Sequence, residues 1–275
     1  MNILLFLFFW TAAVAMASFC DDSSEFTLTW RDEFEGSMPN MTTWTVLNGS
    51  DPIGGSCRSA YCDAANVWVK DGTLVLASRR NHTFPGHNYT TGAVNSMNKA
   101  SWWPNTTFRL CVRAMLPGAE TPTGAAQGVW PAHWMMPNVP NCDPDLGEMD
   151  ILEMINGNGQ AYGTYHWQTT YPKKPCAYPD GHLQLDNYTT LRAGWNRTFH
   201  EFSVERGPEH LAFVVDGNVI VNTSGANPRP LFWSVPWYLI LETAIGGPWP
   251  GEPTEATVMP IYHTIDYVRV ATKIK

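Results

Sequence analysis

Three carboxylates lie within six residues of the chain, at Glu148, Asp150 and Glu153, and every residue between them is apolar. On a β-strand Glu148 and Asp150 point to the same face, because side chains alternate with a period of two. Glu153 breaks that alternation by one residue, and a β-bulge at Ile151-Leu152 would return it to the shared face. A helix fits less well, since about 100° per residue turns Glu148 and Asp150 to nearly opposite sides.

Three acids on one strand face are costly unless that face lines a wet cleft. Ionising all three is unfavourable, so one pKa is pushed upward. Two carboxyl groups with different pKa values are what glycoside hydrolysis requires. The preceding segment Trp130-Pro131-Ala132-His133-Trp134 supplies aromatic rings, on which the apolar face of a sugar can stack. The alternative is an edge strand with a solvated acidic face, since charge runs usually lie at the surface. The aromatic flanks favour the cleft.

Length and composition limit the classes of protein and partner. The chain has 275 residues, compatible with one large all-β domain. It contains 17 Lys and Arg against 25 Asp and Glu, a formal charge of −8. A nucleic-acid partner needs clustered basic residues for the phosphates, and the sequence has no such cluster. The 13 tryptophans exceed ordinary usage. Several belong in a core, and a carbohydrate cleft accounts for the remainder.

The first residues predict export. Residues 2–16 form an apolar stretch, and Ala15-Met16-Ala17 fits the small-x-small cleavage rule. We therefore predict a signal peptide at residues 1–17 and a single mature domain at residues 18–275. The stretch lacks a leading Lys or Arg, which leaves an anchored signal segment as the alternative. No second apolar segment of about 18 residues follows, so we expect a secreted chain with no stable membrane span.

Six cysteines follow the apolar stretch, and an even number in an exported chain predicts disulfides, with fifteen pairings open. Cys57 and Cys62 close a short Gly-rich loop and form the most favoured local pair. Cys142 with Cys176 would join the loops on either side of the acid motif. No cysteine has the spacing of a metal ligand. Eight Asn-x-Ser/Thr sequons predict a glycosylated surface. They lie at Asn40, Asn48, Asn81, Asn88, Asn105, Asn187, Asn196 and Asn222.

Short β-branched and aromatic runs alternate with Gly, Pro and Asn turns along the chain. Asp71-Gly72 separates two such runs at residues 66–70 and 73–78, and Asp216-Gly217 separates another pair. Both predict β-hairpins. No window of twelve or more residues after the apolar stretch has a convincing helical period. The sequence therefore predicts an all-β chain, most simply two packed antiparallel sheets.

The acid motif resembles the E-x-D-x-x-E motif of glycoside hydrolase family 16, the laminarinase-like β-glucanases, including the glycine before the first acid. The resemblance covers roughly Thr29 to Ala271. Six further segments are similar in order and spacing. They are Asp71–Leu74, Tyr89–Gly92, Arg113–Gly118, Gly128–Trp134, Ala244–Trp249 and Ile265–Val270.

The resemblance implies a β-jelly-roll sandwich with a glycan cleft on its concave sheet, and hydrolysis with retention of anomeric configuration. It implies that Glu148 is the nucleophile, Glu153 the general acid/base and Asp150 the assisting carboxylate between them. Residues five apart on a flat strand are about 13 Å apart even after a bulge. A retaining pair needs about 5.5 Å between its carboxyls. Strong curvature and converging side chains must close that difference.

Four further residues are candidates for substrate contact. His166 resembles a family histidine near the assisting carboxylate, and a hydrogen bond from it would set the ionisation of Asp150. A satisfied core or turn histidine is the alternative. Trp134 resembles a sugar-stacking tryptophan of the family. Trp130 has a core position as its alternative, and Trp249 is a candidate either for the cleft or for packing.

Departures from the family pattern affect substrate preference more than reaction type. Asp143 stands where many laminarinases carry a tryptophan, Ala93 where an arginine is usual, and Glu242 where an asparagine is common. No catalytic metal or organic cofactor is expected. The family sometimes holds a structural calcium ion, for which Asp266 is a candidate ligand.

The expected activity is endo-hydrolysis of β-1,3 glucans, extending to mixed β-1,3-1,4 chains, by a secreted monomer. A transglycosylase acting on cell-wall β-glucan is a mechanistic neighbour, in which a sugar resolves the covalent intermediate in place of water. A non-catalytic glucan-recognition module is the alternative from a different class. Relatives of that kind lose their catalytic acids, whereas this chain keeps all three.

Overall fold

The structure is a computed structural model that describes residues 17–102, 105–118, 124–140, 146–168, 182–208, 210–223 and 234–274. Their regular structure is almost entirely β, with short 3₁₀ turns at Ala64–Asn66 and Trp195–Arg197. The strands are β1 (Phe26–Asp32), β2 (Thr45–Val46), β3 (Tyr61–Cys62), β4 (Val67–Lys70), β5 (Thr73–Arg80), β6 (Tyr89–Thr91), β7 (Ala93–Asn95), β8 (Phe108–Met115), β9 (Val129–Pro137), β10 (Glu148–Glu153), β11 (Gln160–Gln168), β12 (His182–Thr190), β13 (His200–Gly207), β14 (His210–Val215), β15 (Asn218–Asn222), β16 (Trp237–Ile245) and β17 (Ile261–Lys273).

The strands form two sheets, as the sequence predicts. One has the order β15-β14-β13-β8-β17-β5-β6-β3, with β1 paired to β17 and β4 to β5. The other has the order β12-β11-β10-β9-β16-β7-β2 and carries the acid motif near its middle, on β10. Among the named strands the described pairings are antiparallel except for β3 with β6, which is parallel. The prediction of an all-β chain with two packed antiparallel sheets is confirmed, and the parallel β3–β6 pair is the exception to it.

Local turn chemistry explains the two predicted hairpins. At Asp71-Gly72 both residues have positive φ, 51° and 73°, and at Asp216-Gly217 the values are 48° and 76°. A two-residue turn with positive φ at both positions matches the right-handed twist of the strands it joins. The turns connect β4 to β5 and β14 to β15, which pair antiparallel, so both hairpin predictions are confirmed.

The core lies between the two sheets. Met149 and Leu241 of the seven-stranded sheet and Leu110, Phe202 and Val268 of the other are fully buried in one cluster. Burial of each such side chain contributes about 1.5–3 kcal/mol relative to exposure. Because side chains alternate, the neighbours of Met149 on β10 and of Leu241 on β16 point away from the core. That alternation gives the acid motif its outward face.

Two disulfides join the described residues, Cys57–Cys62 and Cys20–Cys111. The first confirms the predicted local pair. The second fixes the start of the described chain to β8 across 91 residues. Cys142 and Cys176 lie outside the described residues. Residues 1–16 do too, so the signal peptide stays a prediction. Among the described residues, no helix is long and apolar enough to cross a bilayer.

A pair of histidines is buried between the sheets. His133 of β9 and His263 of β17 are fully buried, with their Nε2 atoms 3.0 Å apart and their rings stacked. The Nδ1 atom of His263 lies 3.2 Å from the carbonyl oxygen of Glu242, which can only accept a hydrogen bond. His263 donating there leaves its Nε2 to accept from the Nε2–H of His133. Burial lowers the pKa of His263 to about 4 and, together with the charge of His263, lowers the pKa of His133.

This pair makes folding stability depend on pH. Unfolded histidines titrate near pH 6.5, so between about pH 6.5 and 4 the unfolded chain binds more protons and stability falls as pH drops. The double variant His133→Leu/His263→Leu removes that term. From pH 7.5 to pH 5 the wild type should lose about 2 kcal/mol or more beyond the loss in the variant. Urea unfolding at both pH values measures this difference. His82→Leu, at an exposed histidine, should keep the wild-type slope. Equal slopes for the wild type and the double variant would contradict the role given to the pair.

Candidate active site

β10 contains the predicted bulge. Asp150 opposes Trp134 of β9 and Glu153 opposes Ala132, so one β9 residue spans the gap that Ile151-Leu152 fills on β10. Ile151 and Leu152 are both fully buried. The bulge therefore sends two consecutive apolar side chains into the core and returns Glu153 to the outer face.

The three acids line one groove on the outer face of the seven-stranded sheet. Its volume is about 420 Å³, and Glu148, Asp150 and Glu153 share its lining with Trp130 and Trp134. An edge strand with a solvated acidic face would leave its carboxylates open to bulk water, whereas Asp150 is only 3% exposed. β10 also pairs with a strand on each side, β9 and β11. The edge-strand interpretation is therefore wrong, and the acids lie in a cleft.

Asp150 and His166 are in direct contact. His166 lies on β11 opposite Glu148, and its Nε2 is 3.1 Å from Oδ2 of Asp150. Ligand atoms of Glu148, Asp150 and His166 all lie within 4.8 Å of one another. The expected contact between His166 and Asp150 is confirmed. A histidine placed between two carboxylates can stabilise their ionised forms, by hydrogen bonding when neutral and by charge when protonated.

Glu153 has the raised pKa that a proton donor needs. The groove walls remove water from its carboxyl, and this burial is the largest cause of the rise. The nearby charge of Glu242 raises the pKa further, whereas His166, a hydrogen bond from Trp130 and the charge of Arg58 lower it. Sequence reasoning gave the correct direction from neighbouring negative charge. The structure makes desolvation the dominant cause and Glu242 the neighbouring acid.

The tryptophans differ in how much surface they offer a sugar. Trp134 lines the groove but is only 9% exposed, and its Nε1 donates to Glu242 at 3.0 Å. Trp130 also lines the groove, with Nε1 3.0 Å from Oε1 of Glu153, so the alternative of a core position is wrong. Trp249 is 41% exposed and packs edge-on against Trp130 and Tyr162 at centroid distances of 5.5 and 5.3 Å. Trp130, Tyr162 and Trp249 together form the aromatic cluster beside Glu153.

Comparison with known proteins identifies the family. The profile of Glycosyl hydrolases family 16 matches residues 64–269, well over half of the chain. The chain belongs to this family. The match contains the bulged strand, the three acids and the aromatic cluster, so the family assignment and the groove concern the same part of the molecule.

Several similar proteins are β-glucanases. The chain is 29% identical over 267 residues to a beta-glucanase from Rhodothermus marinus, covering 91% of this chain and 86% of that one. The crystal structure of an endo-beta-1,3-glucanase from Pyrococcus furiosus superposes with a TM-score of 0.73 at 28% identity, covering 91% and 95% of the two chains. The laminarinase catalytic domain from Thermotoga maritima gives a TM-score of 0.75 at 27% identity, covering 91% and 100%. This family 16 chain is accordingly a jelly-roll glycoside hydrolase that acts on β-glucan.

Sequence reasoning missed, as functional candidates, two residues that line this family 16 groove and one residue of the aromatic cluster beside it. Arg58 lines it from the Cys57–Cys62 loop, with its guanidinium 5.0 Å from the Trp130 ring centroid. Glu242 was noted only as a departure from the family pattern, although a single charged residue in the strand-like run Trp237–Ile245 is itself a signal. Tyr162 lies on β11 opposite Glu153, two alternation steps from His166.

We assign no metal site among the described residues of this family 16 chain. Asp266 hydrogen-bonds the guanidinium of Arg113, and a cation already held at that carboxylate opposes a calcium ion there. The structural calcium ion remains a prediction, and no residue is assigned as its ligand. The ligand atoms of Glu148, Asp150 and His166 are close enough to share a metal ion, but these are the groups that acid–base chemistry in this groove would use.

Proposed function

We propose that the chain is a secreted, endo-acting β-glucanase that cleaves β-1,3 and mixed β-1,3-1,4 glucans with retention of configuration. Glu148 is the nucleophile, Glu153 the general acid/base and Asp150 the assisting carboxylate. The observation that carries the proposal is the pairing, in one groove, of Glu148 beside Asp150 and His166 with a Glu153 whose pKa is raised by burial. This asymmetry supplies one group that attacks and one that keeps a proton.

In the first step the Glu148 carboxylate attacks the anomeric carbon while Glu153 protonates the glycosidic oxygen. The glycosidic bond breaks, the leaving sugar departs with the proton, and a glycosyl ester forms on Glu148. Glu153, now ionised, takes a proton from water, whose oxygen attacks the anomeric carbon and displaces Glu148. Two inversions give net retention, and both carboxyls return to their starting states.

Asp150 and His166 support this cycle by position. Asp150 is almost fully buried between the two glutamates along the strand and contacts His166 at 3.1 Å. A protonated His166 at this distance favours the ionised form of Asp150 by its charge. A persistent negative charge beside the anomeric carbon stabilises the positive charge that develops there in the transition state.

The aromatic cluster and the disulfides support the choice of substrate and compartment. Exposed aromatic surface beside an acid suits the apolar face of a pyranose. Cys20–Cys111 and Cys57–Cys62 are of a kind that persists in oxidising compartments. Six of the eight sequon asparagines are exposed, and Asn81 and Asn196 are half-buried, so glycosylation remains sterically open at most of them.

Product analysis on laminarin, lichenan, xyloglucan and agarose tests this function. We expect short oligosaccharides from laminarin and lichenan, with the β-anomer appearing first by NMR because double displacement retains configuration. Early α-product would exclude that mechanism. Elongation of added oligosaccharide acceptors in place of hydrolysis would identify a transglycosylase. Binding of laminarin without any turnover would identify a recognition module.

A further inference from the structure

Glu242 is a fourth acid of the groove. It lies on β16, where every residue is buried, and it is itself 3% exposed while lining the groove. On the sheet it opposes Ala132 from one side, and Glu153 opposes the same alanine from the other. The row Glu153, Ala132, Glu242 therefore crosses three adjacent strands on the outer face. The reaction cycle above gives Glu242 no task.

Both carboxyl oxygens of Glu242 accept hydrogen bonds from groove walls that are distant in sequence. Oε2 accepts from the backbone N–H of Cys57 at 2.8 Å, and Oε1 accepts from Nε1 of Trp134 at 3.0 Å. Cys57 begins the disulfide-closed loop that carries Arg58 into the groove. The loop is also paired with β16 through backbone bonds at Ile245. The loop is thus already attached to β16, and Glu242 links it to the Trp134 indole as well.

Two N–H donors facing one carboxyl require its ionised form. A carboxylate accepts at both oxygens, whereas a protonated carboxyl turns one oxygen into a donor. The charges that face Glu242 are Arg58, Asp51 and Glu153, and the buried His263 contacts its backbone carbonyl oxygen. Burial is the largest influence and raises the pKa of Glu242 to about 7, against the two hydrogen bonds and Arg58.

We propose that Glu242 is a positioning residue for β-glucan binding, whose ionised carboxyl clamps the Cys57–Cys62 loop and the Trp134 indole together and so sets the groove wall that carries Arg58. Its effect on turnover rests on the proposed function, whereas the clamp does not. Protonation releases one of the two hydrogen bonds. The clamp is then complete above about pH 7 and incomplete below it.

The variant Glu242→Gln tests the clamp in the enzyme. Glutamine keeps the length of the side chain but accepts at only one atom, so one hydrogen bond is lost at every pH. We expect KM for laminarioligosaccharides at pH 8 to rise about tenfold with a smaller change in kcat, and the difference from wild type to shrink at pH 5.5. A pH-independent KM ratio would reduce Glu242 to a packing residue. Glu201→Gln is the matched control, because Glu201 likewise accepts at both carboxyl oxygens, from the backbone N–H of Phe19 and the hydroxyl of Tyr267, but lies on β13 of the other sheet.

A second measurement needs neither activity nor the Glu242 variant. The indole N–H signal of Trp134, assigned by its loss in Trp134→Phe, should titrate near pH 7 in the wild-type chain. A flat signal in a chain that hydrolyses laminarin would overturn the clamp and leave the proposed function intact. A titrating signal in a chain that turns over no glucan would support the clamp and refute the glucanase assignment.

Discussion

Glu148→Gln is expected to abolish most hydrolysis while leaving the fold intact. The amide cannot form the glycosyl ester, so kcat/KM for laminarin should fall by at least about a thousandfold, or ~4 kcal/mol of transition-state stabilisation. Glu148 lines an open groove and is only partly buried, so its replacement by an amide of equal size should not cost much stability. Reducing-sugar assays give the rate, and denaturant unfolding gives the stability.

The matched control for that variant is Glu205→Gln. Glu205 is also a strand glutamate, on β13, but it pairs with Arg109 at 2.7 Å away from the groove. We expect Glu205→Gln to keep wild-type kcat/KM. Near-normal turnover in Glu148→Gln would remove the nucleophile assignment and with it the double displacement. Loss of activity accompanied by unfolding in both variants would point to structure and not to chemistry.

Glu153→Gln should separate substrates by their leaving groups. In natural glucan the leaving group is a sugar alkoxide, which is a poor leaving group unless it is protonated. The kcat/KM for glucan should therefore fall by about two to four orders of magnitude. In an aryl β-glucoside the leaving group is an acidic phenol, which departs as the phenolate without protonation. The first step on this substrate should therefore change little. Hydrolysis of the ester on Glu148 then lacks its base. Azide, which needs no deprotonation, should restore turnover and yield a β-glycosyl azide.

The pH profile provides a second readout for Glu153. Because burial raises its pKa, the alkaline limb of kcat/KM for laminarin should lie above the ordinary carboxyl range. In Glu153→Gln the pH profile of the first step on the aryl substrate should lack that alkaline limb. Equal losses on glucan and on the aryl glucoside would show that Glu153 is not the proton donor.

Predictions that rest on neighbouring residues agree with the structure. The Asp71-Gly72 hairpin, the bulge at Ile151-Leu152 and the Cys57–Cys62 loop each depend on a few adjacent positions, where turn geometry and side-chain alternation decide the outcome. The outward face of the acids follows from the same alternation. Together with the aromatic flanks of the motif, these local rules were enough to favour a cleft over an edge strand.

Features that depend on distant segments were not predictable. Cys20 finds Cys111 across 91 residues, one of many pairings that the sequence allows. Glu242 and Arg58 reach the acid groove only because β16 lies next to β9 and a loop folds over it. The dominance of desolvation in the pKa of Glu153 likewise depends on walls that other segments build. The hydrophobic period and the composition of a sequence do not indicate which distant segments come together.

The bulge on β10 has a consequence for how the active site tolerates changes in chain length. Deleting Ile151 would leave Glu148, Asp150 and Glu153 in strict alternation, still pointing out of the same side of the sheet. The loss would be a fully buried side chain and the local bend, and the two outer acids would move one residue closer together. Motifs of two different lengths can therefore present the same three acids. They differ in the distance along the polysaccharide between the carboxylate that attacks and the carboxyl that donates the proton.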